Sequence, residues 1–295
     1  MRSRLGGIVF LKNQRGMLMD QPPFQSIVYP TDFMLSSGAA FAHAVRLGVA
    51  ARSALHILHA DEPGAETEQN RFPAVRELLT QWRMLEPDAP PDAVKLQLGV
   101  NVVKSALSSD DVVQTVGAYA EQHTCDLLVM LTHESSWMRR ILKGSRAEAT
   151  ARLAHSPTLF LRHGEEGFVD KDTGKIRLTR VLMPIAAEVA PMHAWGLASN
   201  MVRMLEPIAQ FHVLHVGETL PTYGNLLPHV DLRRGLVVET ILEVAEKSHP
   251  DLIVMATAGH NGLFDDLRGS TTERVLRDAP CPVLAIPWKQ RRDRF

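Results

Sequence analysis

An offset of 125 residues lays 111–162 over 236–287 without a gap. That internal repeat restricts the chain to architectures built from two copies of one unit. Val112, Val113, Thr115, Ala120, Glu121, Asp126, Leu127, Val129, Met130 and Thr132 recur as Val237, Val238, Thr240, Ala245, Glu246, Asp251, Leu252, Val254, Met255 and Thr257. Gly144, Ser145, Glu148, Arg152, Ala154, Pro157 and Leu159 recur as Gly269, Ser270, Glu273, Arg277, Ala279, Pro282 and Leu284. The front halves agree in order: Ile27-Val28-Tyr29-Pro30 answers Val181-Leu182-Met183-Pro184, and Leu55 to His59 answers Phe211 to His215.

At 295 residues the chain has room for two such units, each with its own core. The repeat and the compositional breaks divide it into an N-terminal extension (1–23), a first domain (24–163), a linker (164–176), a second, trimmed domain (177–289) and a C-terminal tail (290–295). The linker reading rests on Gly164, Gly167 and Gly174 in a charge-rich stretch.

Each copy reads as strands alternating with helices. Short continuous apolar runs at Leu127 to Leu131, Leu252 to Ala256 and Val283 to Ile286 are what strands covered on both faces look like. The helix after the first strand carries a stripe of Phe41, Ala44, Val45 and Gly48 in one copy, and of Trp195, Ala198, Val202 and Leu205 in the other. The fold class is therefore α/β, two tandem doubly wound parallel sheets. The first copy has extra chain: a helical pattern through Val75, Leu78, Leu79, Trp82 and Leu85, then a period-two run at Val94, Leu96, Leu98 and Val100 that predicts a strand. The second has only the stretch 218–235 there, so it should lose one helix and shorten one strand.

A formal charge of -1 gives no bulk electrostatic case for nucleic acid or an anionic membrane as partner. No apolar stretch is long enough to span a bilayer. The two cysteines, Cys125 and Cys281, fit a reducing cytoplasm, the expected location.

In open parallel sheets ligands bind outside the carboxyl ends of the strands. In the second copy the fourth strand runs into Thr257-Ala258-Gly259-His260-Asn261-Gly262, and Gly269-Ser270-Thr271-Thr272-Glu273 then opens a helix. Glycines let backbone amides approach an anion, and a helix N-terminus adds unpaired N–H groups. In the first copy Glu134 and Trp137 stand where Gly259 and Gly262 do; Arg139, Arg140, Lys143 and Arg146 follow, a charge run that reads as a solvated face or as an attractor of phosphate. Both Gly-Ser-x-x-Glu sequences also fit a capping box, in which Ser145 or Ser270 serves its own helix. Asp265 and Asp266 are candidates for magnesium beside phosphates, or plain loop carboxylates. His56 with His59, and His212 with His215, are spaced to opposite strand faces and do not read as metal pairs. No nucleophile elbow and no Walker lysine is present.

The segment Ser270 to Pro287 (STTERVLRDAPCPVLAIP), with Gly259, Gly262 and Gly269 before it and Pro30-Thr31-Asp32 at the first strand's end, resembles the universal stress protein family. The resemblance covers 24–288. It implies a Rossmann-like, adenine nucleotide alpha hydrolase-like fold, with the last strands of two domains pairing. Pro157 to Arg162 and Pro282 to Pro287 are the candidates for that pairing, giving an intramolecular pseudo-dimer. It also implies a non-catalytic stress-response protein with ATP in the second copy, and magnesium only with that ATP. Gly259, His260, Gly262, Gly269, Ser270 and Thr271 would surround phosphates, with Ile185, Ala186 and Val216 near the nucleoside. The loop between Gly262 and Gly269 is shorter than in ATP-binding members. The aspartate that sits against the nucleoside there matches Asp32 in the first copy and is Ala186 in the second. A nucleotide-free interaction module, using 61–92 and 218–235 as asymmetric surfaces, and a slow ATPase or adenylyl- or phosphoryl-transfer enzyme remain as alternatives.

Overall fold

The structure is a computed structural model. It describes residues 23–31, 33, 38–61, 71–109, 111–132, 156–187, 191–222, 226–257 and 271–287. The first copy holds β1 (Ser26–Pro30), α1 (Gly38–Ala51), β2 (Ala54–Asp61), α2 (Val75–Gln81), α3 (Ala93–Leu98), β3 (Asn101–Ser108), α4 (Val112–Gln122), β4 (Leu127–Thr132) and β5 (Thr158–Arg162). The second holds β6 (Arg180–Ile185), α5 (Met192–Leu205), β7 (Gln210–Val216), β8 (Val230–Arg233), α6 (Val237–Ser248), β9 (Leu252–Thr257), α7 (Thr271–Asp278) and β10 (Val283–Pro287).

All ten strands join one sheet in the order β3-β2-β1-β4-β5-β10-β9-β6-β7-β8. Each half repeats the same doubly wound order, and every pairing is parallel except β5 with β10. That pair is the expected union of last strands. Its register sets Leu159 opposite Leu284, with Thr158 and Phe160 flanking against Ala285 and Val283. Because Leu159 and Leu284 are repeat equivalents, the pseudo-twofold axis passes between them. Pairing satisfies two edges that would otherwise stand open, and the strands there are buried on both faces.

One face of the sheet carries a single core running across both copies, built from α1, α2 and α5 on Leu159, Leu161, Leu284 and Ile286. The other carries two clusters. Val116, Tyr119 and Ala120 of α4 pack on the first half, and Val238, Ile241 and Ala245 of α6 with Val275 of α7 pack on the second. The spacing of those α6 residues is the stripe that turns a helix onto a sheet.

The second copy is trimmed as expected: β8 has 4 residues where β3 has 8, and the described residues between β7 and β8 contain no α-helix. The period-two run is a correction. Val94, Leu96 and Leu98 lie on helix α3, and β3 begins only at Asn101. Leu96 is 72% exposed. The segment follows Pro90 and Pro91 and stops at Gly99, whose φ of 72° closes the helix in the left-handed region.

The connecting stretch 164–176 lies packed against the first copy. Phe168 and Val169 are buried, and Val169 bridges to Ile176. The neutral ring of His43 on α1 holds it: Nδ1–H donates to the Ala39 carbonyl (2.7 Å), while Nε2 accepts the amides of Phe168 (3.0 Å) and Val169 (3.1 Å). Burial brings the His43 pKa down to about 4. Trp82 Nε1 donates to the Lys171 carbonyl and Arg46 Nε to that of Gly174. Gly167 is required at its position, because φ is 69° and a Cβ would stand 2.5 Å from the His43 ring.

Candidate functional site

Strand order reverses in the second half at β6 and β9, so the carboxyl ends of β6, β7 and β9 part there, and a crevice opens where such sheets bind ligands. A cavity of about 440 Å³ occupies it. Pro184 to Ala187 leave β6 along one wall, Leu214 to Thr219 form another, Met255 and Ala256 supply the floor, and Val237 and Ile241 of α6 close a side. Thr271 and Thr272 present the first turn of α7, the dipole end that favours negative charge.

Four residues anticipated from sequence, Ile185, Ala186, Val216 and Thr271, meet in this one cavity. Gly259, His260, Gly262, Gly269 and Ser270 lie outside the described residues. So do Asp32, Glu134, Trp137, Arg139, Arg140, Lys143, Arg146, Ser145, Glu148, Asp265 and Asp266.

His215, which is not among the site residues the sequence points to, lines the cavity and is 5% exposed. Its Nδ1–H donates to the Ile185 carbonyl at 2.9 Å. His59 makes the same bond to Thr31 at 2.8 Å in the first copy. This duplicated clasp ties the second strand of each unit to the end of the first and fixes the imidazole plane. The signal was present in the repeated Leu-His pair, at Leu58-His59 and Leu214-His215. His56 instead bonds Tyr119 on α4 at 3.0 Å, and burial followed by the nearby His123 lowers its pKa. Among the described residues no three His, Cys, Asp or Glu side chains gather as a metal site.

At the equivalent place in the first copy, the ring of Phe33 lies on His59 with centroids 3.8 Å apart and planes 27° from parallel. Phe72 meets Phe33 edge-on at 5.1 Å, and the Arg71 guanidinium sits 4.9 Å from the Phe33 centroid. Counting from the paired prolines at the strand ends, Phe33 corresponds to Ala187.

The second-copy residues suit a nucleotide in part. Apolar walls around the cavity match a nucleoside, and its volume is in the range of small-molecule sites, about 300–1,000 Å³. Thr257 Oγ1, one residue past Ala256, is buried with no hydrogen-bond partner among the described residues. The carboxylate expected at position 186 is an alanine methyl, and the acid in the lining is Glu218, which pairs with Arg234 at 3.2 Å on the exposed rim. Both thiols are held in the protonated form: burial pushes Cys125 up to about 12 and raises Cys281 as well. Neither is a thiolate nucleophile at neutral pH. No helix among the described residues is long and apolar enough to cross a membrane.

Comparison with known proteins gives a consistent result. The universal stress protein family model matches residues 23–162 and 185–287. A universal stress protein of Methanocaldococcus jannaschii is 47% identical over 58 residues, 20% of this chain and 34% of that protein. One from Synechocystis is 40% identical over 84 residues, 28% of this chain and 54% of that protein. The matches thus span about a third to a half of those curated relatives. Among solved structures, a universal stress protein from Archaeoglobus fulgidus superposes with a TM-score of 0.60 at 18% identity, covering 92% of this chain and 98% of that one. A Pseudomonas aeruginosa protein, described as a putative universal stress protein, gives 0.61 at 18%, covering 92% and 95%. At such identities these two establish the fold. The family match spans most of both halves, and the chain belongs to the universal stress protein family, as a tandem member with two copies of its domain.

Proposed function

We propose that the chain is a non-catalytic stress-response protein that binds an adenine nucleotide, ATP in the first instance, in its second copy. The observation that carries this reading is the cavity at the carboxyl ends of β6, β7 and β9, with the start of α7 at its edge. Ile185, Ala186 and Val216 would hold the nucleoside by apolar contact. Thr271, with Gly259, His260, Gly262, Gly269 and Ser270, would surround the phosphates, and magnesium would enter with ATP. ATP supplies the charge that the α7 dipole favours, and the chain's own residues bind and orient it. Equilibrium dialysis of protein freed of carried-over ligand, against ATP, ADP and AMP, tests the reading. Saturable binding that Gly262→Trp abolishes supports it, and no binding at millimolar nucleotide overturns it.

One observation favours a second reading, an interaction module that signals through its surface. Along the trimmed edge of the second copy Leu226 is 67% and Leu236 71% exposed, with Leu220, Leu232 and Val237 also open. Exposed apolar groups gathered in one region mark association surfaces. Pull-downs with and without nucleotide separate the two: capture indifferent to nucleotide, by a chain that binds none, favours the second.

A further inference from the structure

We propose that two molecules of this chain associate edge to edge through β8, whose strands pair antiparallel about a twofold axis at Leu232. The inference is independent of nucleotide, and it gives the exposed edge of the second copy a partner: a second identical chain.

The sheet ends on β3 at one side and on β8 at the other, and among the described residues no strand pairs with the outer side of either. The two edges are repeat equivalents, yet they present different surfaces. The exposed positions of β3 are Asn101, Lys104, Ala106 and Ser108, including a lysine of the kind that blunts an edge. Around β8, Leu220, Leu226, Leu232, Leu236 and Val237 make up five of the eight large apolar side chains that stand exposed among the described residues. The trimmed copy therefore ends in an apolar edge where the longer one ends in a polar edge, and such a gathering marks a contact surface.

Backbone polarity fixes how a partner can join. Gly217 N–H donates to the Arg233 carbonyl at 2.9 Å, so Arg233 turns its backbone groups inward to β7. Successive residues of a strand alternate in this respect, which turns the groups of Val230, Leu232 and Arg234 outward. Pro228, which has no N–H, and Gly235, with φ at 142°, bound the segment.

Within those bounds an antiparallel twofold can centre on Asp231, Leu232 or Arg233. The first choice sets two carboxylates directly opposite and the last sets two guanidinium groups opposite, both unfavourable. Centring on Leu232 sets Asp231 across from the partner's Arg233, and Arg233 across from the partner's Asp231. These are the non-hydrogen-bonded positions, where facing side chains come closest. Leu232 then exchanges backbone hydrogen bonds with the partner's Leu232. Arg233 Nε already bonds Asp231 of its own strand at 3.0 Å, so both charges lie on one face of the sheet and are ready to pair across the axis. Such a self-complementary contact closes at two chains.

Sedimentation velocity of the full-length protein over a range of concentrations tests the inference, with Asp231→Arg and Arg233→Asp made singly. Each single change sets like charges opposite across the axis. Wild type should pass from monomer to dimer as concentration rises. Each variant should stay monomeric in that range while keeping a cooperative thermal transition. Mixed in equal amounts, the two variants regain opposite charges at both positions and should form a mixed dimer. Leu232→Cys should give an interchain disulfide under mild oxidation, because a hydrogen-bonded antiparallel pair holds its Cα atoms about 5.5 Å apart, within disulfide reach. Single variants that dimerise like wild type overturn the inference, and so does a mixture that stays monomeric. A wild type that is monomeric at every concentration also overturns it and leaves the edge to a different protein. The nucleotide reading is decided separately, by the dialysis above.

Discussion

Acidification should loosen the packing of the connecting stretch through one side chain, His43. In the folded chain its ring is neutral, with Nδ1–H donated to Ala39 and the Nε2 lone pair shared by the amides of Phe168 and Val169. A proton on Nε2 would set a third N–H against those two. Its pKa is accordingly about 4 in the fold against 6.5 in the unfolded chain. The unfolded state takes up its proton as pH falls below 6.5, and the folded state does not until about 4. Stability that is fully present above 6.5 is thus lost progressively down to about 4 and then levels off. At about 1.4 kcal/mol per pKa unit, the gap is worth about 3 kcal/mol. Urea unfolding of wild type and His43→Gln across that window measures it. Other titrating groups act on both proteins and cancel in the difference. The wild type should start more stable at neutral pH and lose about 3 kcal/mol more than the variant on acidification. Parallel stability curves for the two proteins would refute the reasoning.

Three further outcomes are expected. Leu284→Ala removes half of the fully buried leucine pair on the pseudo-twofold axis and should cost about 2–5 kcal/mol, read as a lower urea midpoint; an unchanged midpoint would argue against a packed seam. Asp251→Ala should cost about 2 kcal/mol or more, because its carboxylate accepts the amides of Thr179 and Arg180 and the Thr179 hydroxyl. Cys281, buried and with its thiol pKa raised, should resist alkylation at mildly alkaline pH until the protein is unfolded; rapid labelling of the native chain would contradict its burial.

The parts of this fold that the sequence disclosed are those the repeat preserved. β4, β5, β9 and β10 are buried on both faces, so their side chains cannot drift far, and their unbroken apolar runs remained recognisable in both copies. Asp126 and Asp251 survive as a matched pair for a structural reason. Each accepts backbone amides at the start of the neighbouring first strand, Gln25 and Ser26 in one copy and Thr179 and Arg180 in the other. The alternation at 94–98 misled because six residues make fewer than two helical turns, too few for a period of 3.6 to separate from one of 2. Pro90, Pro91 and Gly99 were the better guides there. In the connecting stretch, glycines and charges masked the buried pair Phe168-Val169. The cavity walls at Ile185, Ala186 and Val216 were legible from the family resemblance, together with the rule that ligands bind beyond the carboxyl ends of parallel strands. The place of His215 in the cavity wall was not read, although the repeated Leu-His pair carried its signal: which carbonyl its Nδ1–H meets is a matter of side-chain direction.

The central claim is that ligand enters the second copy and not the first, and isoleucine-methyl NMR of the full-length chain tests it most directly. Ile185 and Ile241 line the second-copy cavity, whereas Ile27 and Ile57 sit in β1 and β2 of the first. Titration with ATP should shift the methyl resonances of Ile185 and Ile241 saturably while those of Ile27 and Ile57 stay in place. Shifts confined to Ile27 and Ile57, or no shift at any of the four with millimolar nucleotide, would contradict the account.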